Sequence, residues 1–400
     1  MRSAVLAVLL LAPQESIEER RDRIAGRLEE IRGLKFKEKL RVREGTRKEA
    51  ALLSLEGLKD VYGADLNMAE AFLKALGFIP QSMKLPIAVT ASAGIGVDSF
   101  YTAGELVLVD TKTPDDLLLY RMTFGLTDQH HPEAGLRKRA APTFDARMAL
   151  AALRAGDANV CKVLLWYSKK LGEKVSDDWL ESLIRGAEKW EREDSRFRSA
   201  VMPRLLVRSG DFGYRRGGIF VETLRLKGGM DLVNKAYEKP PASTEHILHP
   251  EKYLAGEAPV SIDLSPLEEH LRGLGYGPTY RTTLGELGSA VLLETHLKNV
   301  DSGPASSGWG GDTIELFEGN GMWFIVWATE WDTEKDAAEF QEAANRISQL
   351  LLPSERNRTN VVVRRKTATA WLYNYPTPLQ DGLLDALWRA KKDGKASYGE

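Results

Sequence analysis

A chain of 400 residues with 43% hydrophobic content is long enough for one elaborated domain or two modest ones around an ordinary buried core. Its 55 Lys and Arg against 57 Asp and Glu leave a formal net charge of -2, so no basic excess points to a nucleic acid or an anionic membrane as partner. A single cysteine, Cys161, excludes any intramolecular disulfide, and the fold must rest on packing.

Arg2, the apolar run Ala4–Ala12 and a Pro-Gln-Glu break have the grammar of a secretory signal over residues 1–13. The run is too short to cross a hydrocarbon core of about 30 Å, which takes roughly 20 residues. The expectation is an exported protein, periplasmic or extracellular, with no integral membrane segment once the signal is cleaved.

Ser16–Gly33 carries Ile17, Ile24, Leu28 and Ile31 at helical intervals and reads as an amphipathic helix. Phe36–Arg43 alternates as a strand, Thr46 caps a helix running to Tyr62, and Met68–Leu76 forms another that stops at Gly77. Ala88–Asp110 mixes short apolar runs with Gly and Ser, which predicts a small sheet or hairpin. Thr113 is placed to cap a helix from Pro114 to Gln129, with Asp115 and Asp116 complementing its positive end. A long helix follows over Thr143–Lys170, with Gly156 near its middle and Cys161 in an apolar stretch that buries it. Further helices are predicted at Asp177–Glu193 and Gly217–Tyr237, the second broken at Gly228-Gly229.

Pro240-Pro241 marks a soft boundary, dividing 16–239 from a C-terminal α+β region over 240–400. From Gly310 the pattern reads strand, Glu318-Gly319-Asn320-Gly321 turn, strand (Met322–Trp331) and helix (Thr333–Leu351). Strands at Thr359–Arg365 and Thr367–Tyr375 and a helix at Pro378–Lys392 complete it. Trp323, Trp327 and Trp331 share one strand face, which suits a packed core, with an aromatic binding surface as the alternative.

The segment Tyr120–His130 reads YRMTFGLTDQH, and residues 152–158 read ALRAGDA. With Gly217–Tyr237, Pro240–Pro259 (PPASTEHILHPEKYLAGEAP), Leu284–His296 and Gly308–Asp312 (GWGGD), these segments resemble a family of mostly uncharacterised bacterial secreted proteins with a gluzincin-like metallopeptidase pattern. In that family the helix runs H-E-L-T-H-A-L-Q-D-Q-H, and this chain keeps Thr123, Leu126, Asp128, Gln129 and His130. The resemblance puts the first metal His, the catalytic Glu and the second metal His on Tyr120, Arg121 and Phe124. It puts the Glu of the third ligand on Ala155. It implies an α+β fold, a mainly helical gluzincin-like scaffold with a smaller C-terminal hairpin-plus-helix layer.

Zinc chemistry of this type needs two His at i and i+4 on one helix face and a Glu to polarise the bound water. A phenyl ring cannot ligate a metal, and a guanidinium stays protonated and cannot act as a base. The expected function is therefore an exported pseudo-metallopeptidase with no catalytic residue and no cofactor. It would bind a protein or peptide of the envelope, with Tyr120, Arg121 and Phe124 lining the former cleft. Asp128, Gln129 and His130 are expected to support the structure around it. Arg121, standing where a Glu would, needs solvent or a carboxylate neighbour.

Two other readings come from different classes. One is a hydrolase with a relocated metal, for which His246 and His249, with Glu245 and Glu251 close by, offer the only evident pair. The other is a structural subunit of an envelope assembly. GWGGD lacks the Lys-Ser/Thr of a phosphate loop and reads as a tight turn where backbones approach.

Overall fold

The computed structural model describes residues 15–171, 202–297, 302–351 and 358–389, with isolated residues among 182–189 and short pieces at 391–392 and 395–396. The signal-like segment 1–13 and nearly all of the helix predicted at Asp177–Glu193 lie outside the described residues.

Helix α1 (Ile17–Arg32) starts where Ser16 and Glu19 satisfy each other's backbone N–H groups, and stops where Gly33 takes a φ of 71°. Strand β1 (Arg41–Glu44) is shorter than the predicted Phe36–Arg43, because side chains take the upstream donors. Phe36 N–H donates to Glu29, and Lys37 and Glu38 N–H both donate to Gln129. Helix α2 (Arg47–Tyr62) opens on the Thr46–Glu49 capping box, and α3 (Leu66–Ala75) on Asp65. The stretch expected to be sheet from Ala88 divides in two. Helix α4 (Leu85–Gly96), with Pro86 in its first turn, lies against α2, and only then come β2 (Ser99–Thr102) and β3 (Glu105–Leu108). Alternation is weak over LPIAVTASAG, so packing against α2 decides for the helix. The first sheet has the order β1-β3-β2, with β1 parallel and β2 antiparallel to β3.

Helix α5 (Asp115–His130) begins with Pro114 at the cap position. The predicted Thr113 cap is not formed; its hydroxyl donates back to the Asp98 and Asp110 carbonyls instead, which ties the helix start to the strand before it. Then come α6 (Glu133–Arg139), α7 (Phe144–Leu171) and α8 (Arg204–Glu238). Helix α8 starts well ahead of the predicted Gly217 and kinks at Gly228 and Gly229, the latter at a φ of 66°. Helices α7 and α8 cross through their glycines. A Cβ on Gly156 would lie 2.1 Å from the Gly217 carbonyl oxygen, and one on Gly217 would lie 2.1 Å from that of Ala152. The mid-helix glycine thus has a packing reason that outweighs its intrinsic cost of about 1 kcal/mol.

Short helices α9 (Thr244–Leu248) and α10 (Pro250–Ala255) lead to β4 (Ile262–Asp263) and α11 (Ser265–Gly273). After them come β5 (Gly277–Thr282), α12 (Gly285–His296), α13 (Ser302–Ser306), β6 (Trp309–Gly319) and β7 (Met322–Trp331). Then come α14 (Glu334–Leu350), β8 (Arg358–Arg365), β9 (Ala368–Pro376) and α15 (Gln380–Leu387), and the short strands β10 (Lys391–Lys392) and β11 (Lys395–Ala396) join β4 in a small antiparallel sheet. The larger sheet is antiparallel in the order β5-β6-β7-β9-β8. Its central hairpin turns at Asn320 and Gly321, both at positive φ, as the Asn-Gly signal predicts. GWGGD is mostly strand rather than turn, since only Gly308 takes a positive φ. The close approach is real: a Cβ on Gly311 would meet the Val260 carbonyl oxygen at 2.2 Å.

Trp327 and Trp331 share the face of β7 that packs on Phe340 of α14, with ring centroids 5.2 and 4.6 Å away. That face continues into the helical core around Phe144, Phe220 and Leu292. On the other face Phe317, Phe324 and Val326 pack on Leu267 and Leu271 of α11 and Leu383 of α15. The tryptophans at 327 and 331 are core, and the architecture is α+β. Among the described residues no helix is long and apolar enough to cross a membrane.

The start of α7 docks on the loop between β5 and α12, where Phe144 N–H donates to Thr282 Oγ1 at 2.9 Å and Asp145 N–H to the Thr283 carbonyl at 3.1 Å. The buried Asp145 carboxyl accepts the Thr244 N–H at 2.8 Å and the Thr244 hydroxyl. It lies so close to Gly285 that a Cβ there would be 1.8 Å from Oδ1. Desolvation pushes Asp145 up to about 8 and the neighbouring Asp312 up to about 6. The folded protein therefore keeps a proton on Asp145 that the unfolded chain releases above its ordinary value of 3.8. Stability from this group is full below that value and is lost as pH rises to about 8. Asp145→Asn keeps an acceptor for Thr244 and cannot titrate. Thermal melts from about pH 5 to about pH 8 should show wild type losing stability more steeply than this variant, and parallel curves would refute the assignment.

Candidate functional site

The positions singled out by the sequence gather where α5, α7 and α8 meet, beside the edge strand β2 that packs along α5. Tyr120 and Phe124, one turn apart on α5, stand edge to face with centroids 5.4 Å apart. Tyr214 of α8 closes on Tyr120 at 6.1 Å. Ala155 of α7 sits under the residue before it, since a Cβ on Gly213 would lie 3.1 Å from the Ala155 Cβ. The side chains at this junction are thus three rings and a methyl group.

A cation lies over each ring. The Arg121 guanidinium carbon is 5.2 Å from the Tyr120 centroid, that of Arg154 is 5.3 Å from Phe124, and Lys162 Nζ is 5.6 Å from Tyr214. Two of these charges have carboxylate partners, Arg154 with Glu133 at 2.6 Å and Lys162 with Asp116 at 3.5 Å. Arg121 differs, for it is half-buried and, among the described residues, forms no hydrogen bond or ion pair. Burial pulls its guanidinium below the usual arginine value, opposed only by the fields of Tyr120 and Asp98. Asp98, at the threshold of β2, acts on it only through its field, so among the described residues the bonded carboxylate neighbour expected from the sequence is not formed. Burial raises the Tyr120 phenol above its ordinary value.

Asp128, Gln129 and His130 brace the surroundings. Asp128 accepts the Tyr101 hydroxyl at 2.7 Å, which fastens β2 to α5, and the Glu133 N–H at 2.6 Å. Gln129 accepts from Lys37 N–H and donates to the Glu38 carbonyl, serving the loop before β1 as a neighbouring strand would. His130 Nε2 donates to the Lys35 carbonyl at 2.8 Å.

His246 and His249 do not converge as a metal pair. His246 accepts the Ala242 N–H through Nδ1 at 3.1 Å and donates through Nε2 to the Glu257 carbonyl at 2.8 Å, so no lone pair is left. His249 Nε2 bonds Glu286 at 3.0 Å. Glu245, Glu257 and Asp332 do come together, with ligand atoms within 4.8 Å of one another. Lys252 supplies the cation there, with Nζ 2.6 Å from Glu245, 3.1 Å from Glu257 and bonded to Asp332. A cleft of about 240 Å³ between the end of α2 and β5 contains Arg281, but its charge is taken by Glu268 and Glu315.

The sequence reading missed Tyr214, Arg154 and Lys162. It also missed a buried network in which Arg32 Nε lies 2.9 Å from Asp157 Oδ1 and Tyr237 donates to Asp157 Oδ2 at 2.9 Å. Small residues at 213 and 217 were the available signal that α8 crosses α7 closely. Cys161 is buried beside Asp157, and its thiol is pushed well above the ordinary range by desolvation, in keeping with a packing role.

Residues 274–382 match a family model described as a domain of unknown function, DUF8575. The matched span begins just before β5 and ends inside α15, so it holds the five-stranded sheet and its covering helix α14. No curated protein and no solved structure matches the chain.

Proposed function

We propose that the protein is an exported pseudo-metallopeptidase: a gluzincin-like scaffold without zinc or a catalytic base, which acts by binding a protein or peptide. The observation that carries the reading is the ring cluster at the α5–α7–α8 junction. Tyr120, Phe124 and Tyr214 occupy the side-chain space in which two His and a Glu would have to converge on a metal. Arg121 adds a fixed positive charge at the position of the base, and this disfavours a cation there. Export rests on the signal-like grammar of residues 1–13.

The relocated-metal alternative loses support because His246 has both ring nitrogens engaged and Lys252 neutralises the acidic cluster. Metal analysis by mass spectrometry on untagged wild type, purified without chelators, tests the proposal. Wild type should contain no stoichiometric zinc. A Tyr120→His, Arg121→Glu, Phe124→His variant should take up zinc, more tightly with Ala155→Glu added where circular dichroism shows that Gly213 tolerates it. Stoichiometric zinc in the wild type would overturn the reading.

A further inference from the structure

We propose that Tyr120 and Arg121 form a recognition site for the terminal carboxylate of a peptide, whose last apolar side chain lies over Phe124 and Tyr214. The inference rests on the pseudo-peptidase reading and names the ligand chemistry of the same site. Its basis is a set of donors that the protein itself leaves open.

The Arg121 guanidinium is partly withdrawn from water with no carboxylate bonded to it, an arrangement that costs free energy unless a ligand supplies the anion. The Tyr120 hydroxyl, on the ring that Arg121 covers, likewise makes no hydrogen bond among the described residues. A guanidinium fork and a phenol are donors only toward an anion and suit the two oxygens of a carboxylate. Charge selects a monoanion. Arg154 and Lys162 are held by Glu133 and Asp116, and Asp98 adds a negative field, so a doubly charged phosphate would meet one open cation among several carboxylates. The flanking rings are apolar surface for the residue that bears the carboxylate.

The test is a ligand-observed NMR titration of the full wild-type chain with N-acetyl-Leu-Phe as the free acid and as its carboxamide, at low salt. The acid should bind roughly tenfold or more tighter than the amide, the factor expected for a charge-assisted hydrogen-bonded pair. Arg121→Gln should abolish that preference, bringing the acid down to the affinity of the amide for the same variant, Tyr120→Phe should reduce it, and Arg121→Lys should restore part of it. Added salt should weaken only the acid. Equal binding of acid and amide, or a preference that survives Arg121→Gln, overturns the inference, as does inorganic phosphate displacing the acid better than acetate does. Zinc content of the same sample separates the two proposals. A metal-free protein indifferent to the carboxylate leaves the pseudo-peptidase reading in place and removes only this one, whereas stoichiometric zinc removes both.

Discussion

Asp157→Ala is expected to destabilise the protein by about 3–5 kcal/mol, the range for removing one partner of a buried ion pair. Arg32 and Asp157 are both fully buried, the pair is bonded through Nε while Nη1 and Nη2 of Arg32 make no hydrogen bond, and Asp157 is its compensating charge. Deleting the carboxylate leaves a buried cation and strips the Tyr237 hydroxyl of its acceptor. The pair also joins distant parts of the chain, because Arg32 ends α1, Asp157 lies within α7 and Tyr237 ends α8. Urea denaturation at neutral pH measures the loss. Arg32→Met combined with Asp157→Leu should recover most of it, since apolar replacement of a buried pair is often neutral. A loss under about 1 kcal/mol for the single variant would show that the charge reaches water.

Gly217→Ala is expected to cost about 3 kcal/mol, at the upper end for overpacking. The added methyl would lie 2.1 Å from the Ala152 carbonyl oxygen and 2.8 Å from its carbon, and a helix backbone cannot move aside as a side chain can. Helices α7 and α8 would have to separate, and Ala155 and Tyr214 would shift with them. Gly210→Ala, on the same helix with nothing within 4 Å of its Cβ, is the control and should gain up to about 1 kcal/mol from helix propensity. Equal behaviour of the two variants in denaturant would sink the account of the crossing.

Local chemistry made much of the fold legible. The Thr46 cap, the Asn320-Gly321 turn and the Gly228-Gly229 break are short-range effects, and each is found where the residues place it. The alternation in 322–331 carried the tryptophans to one face without any knowledge of what covers it. Predictions failed where a distant partner decides. Residues 37 and 38 are not strand because Gln129, far along the chain, takes their hydrogen bonds. Leu85–Gly96 is helix because α2 receives it, and Thr113 is not a cap because the helix opens one residue later, on Pro114, while the Thr113 hydroxyl is turned back to the Asp98 and Asp110 carbonyls.

The candidate site divides along the same line. Tyr120 and Phe124 share a face by helical spacing alone, and the unsuitability of ring and guanidinium for zinc chemistry follows from residue type. Only the tertiary structure could bring Tyr214 and Ala155 to them, leave Arg121 without a bonded carboxylate while giving one each to Arg154 and Lys162, and fill the Glu245 cluster with Lys252. Residue chemistry and short-range periodicity are written in order along the chain. The distribution of charge partners depends on segments far apart in sequence, and no linear spacing encodes which of them meet.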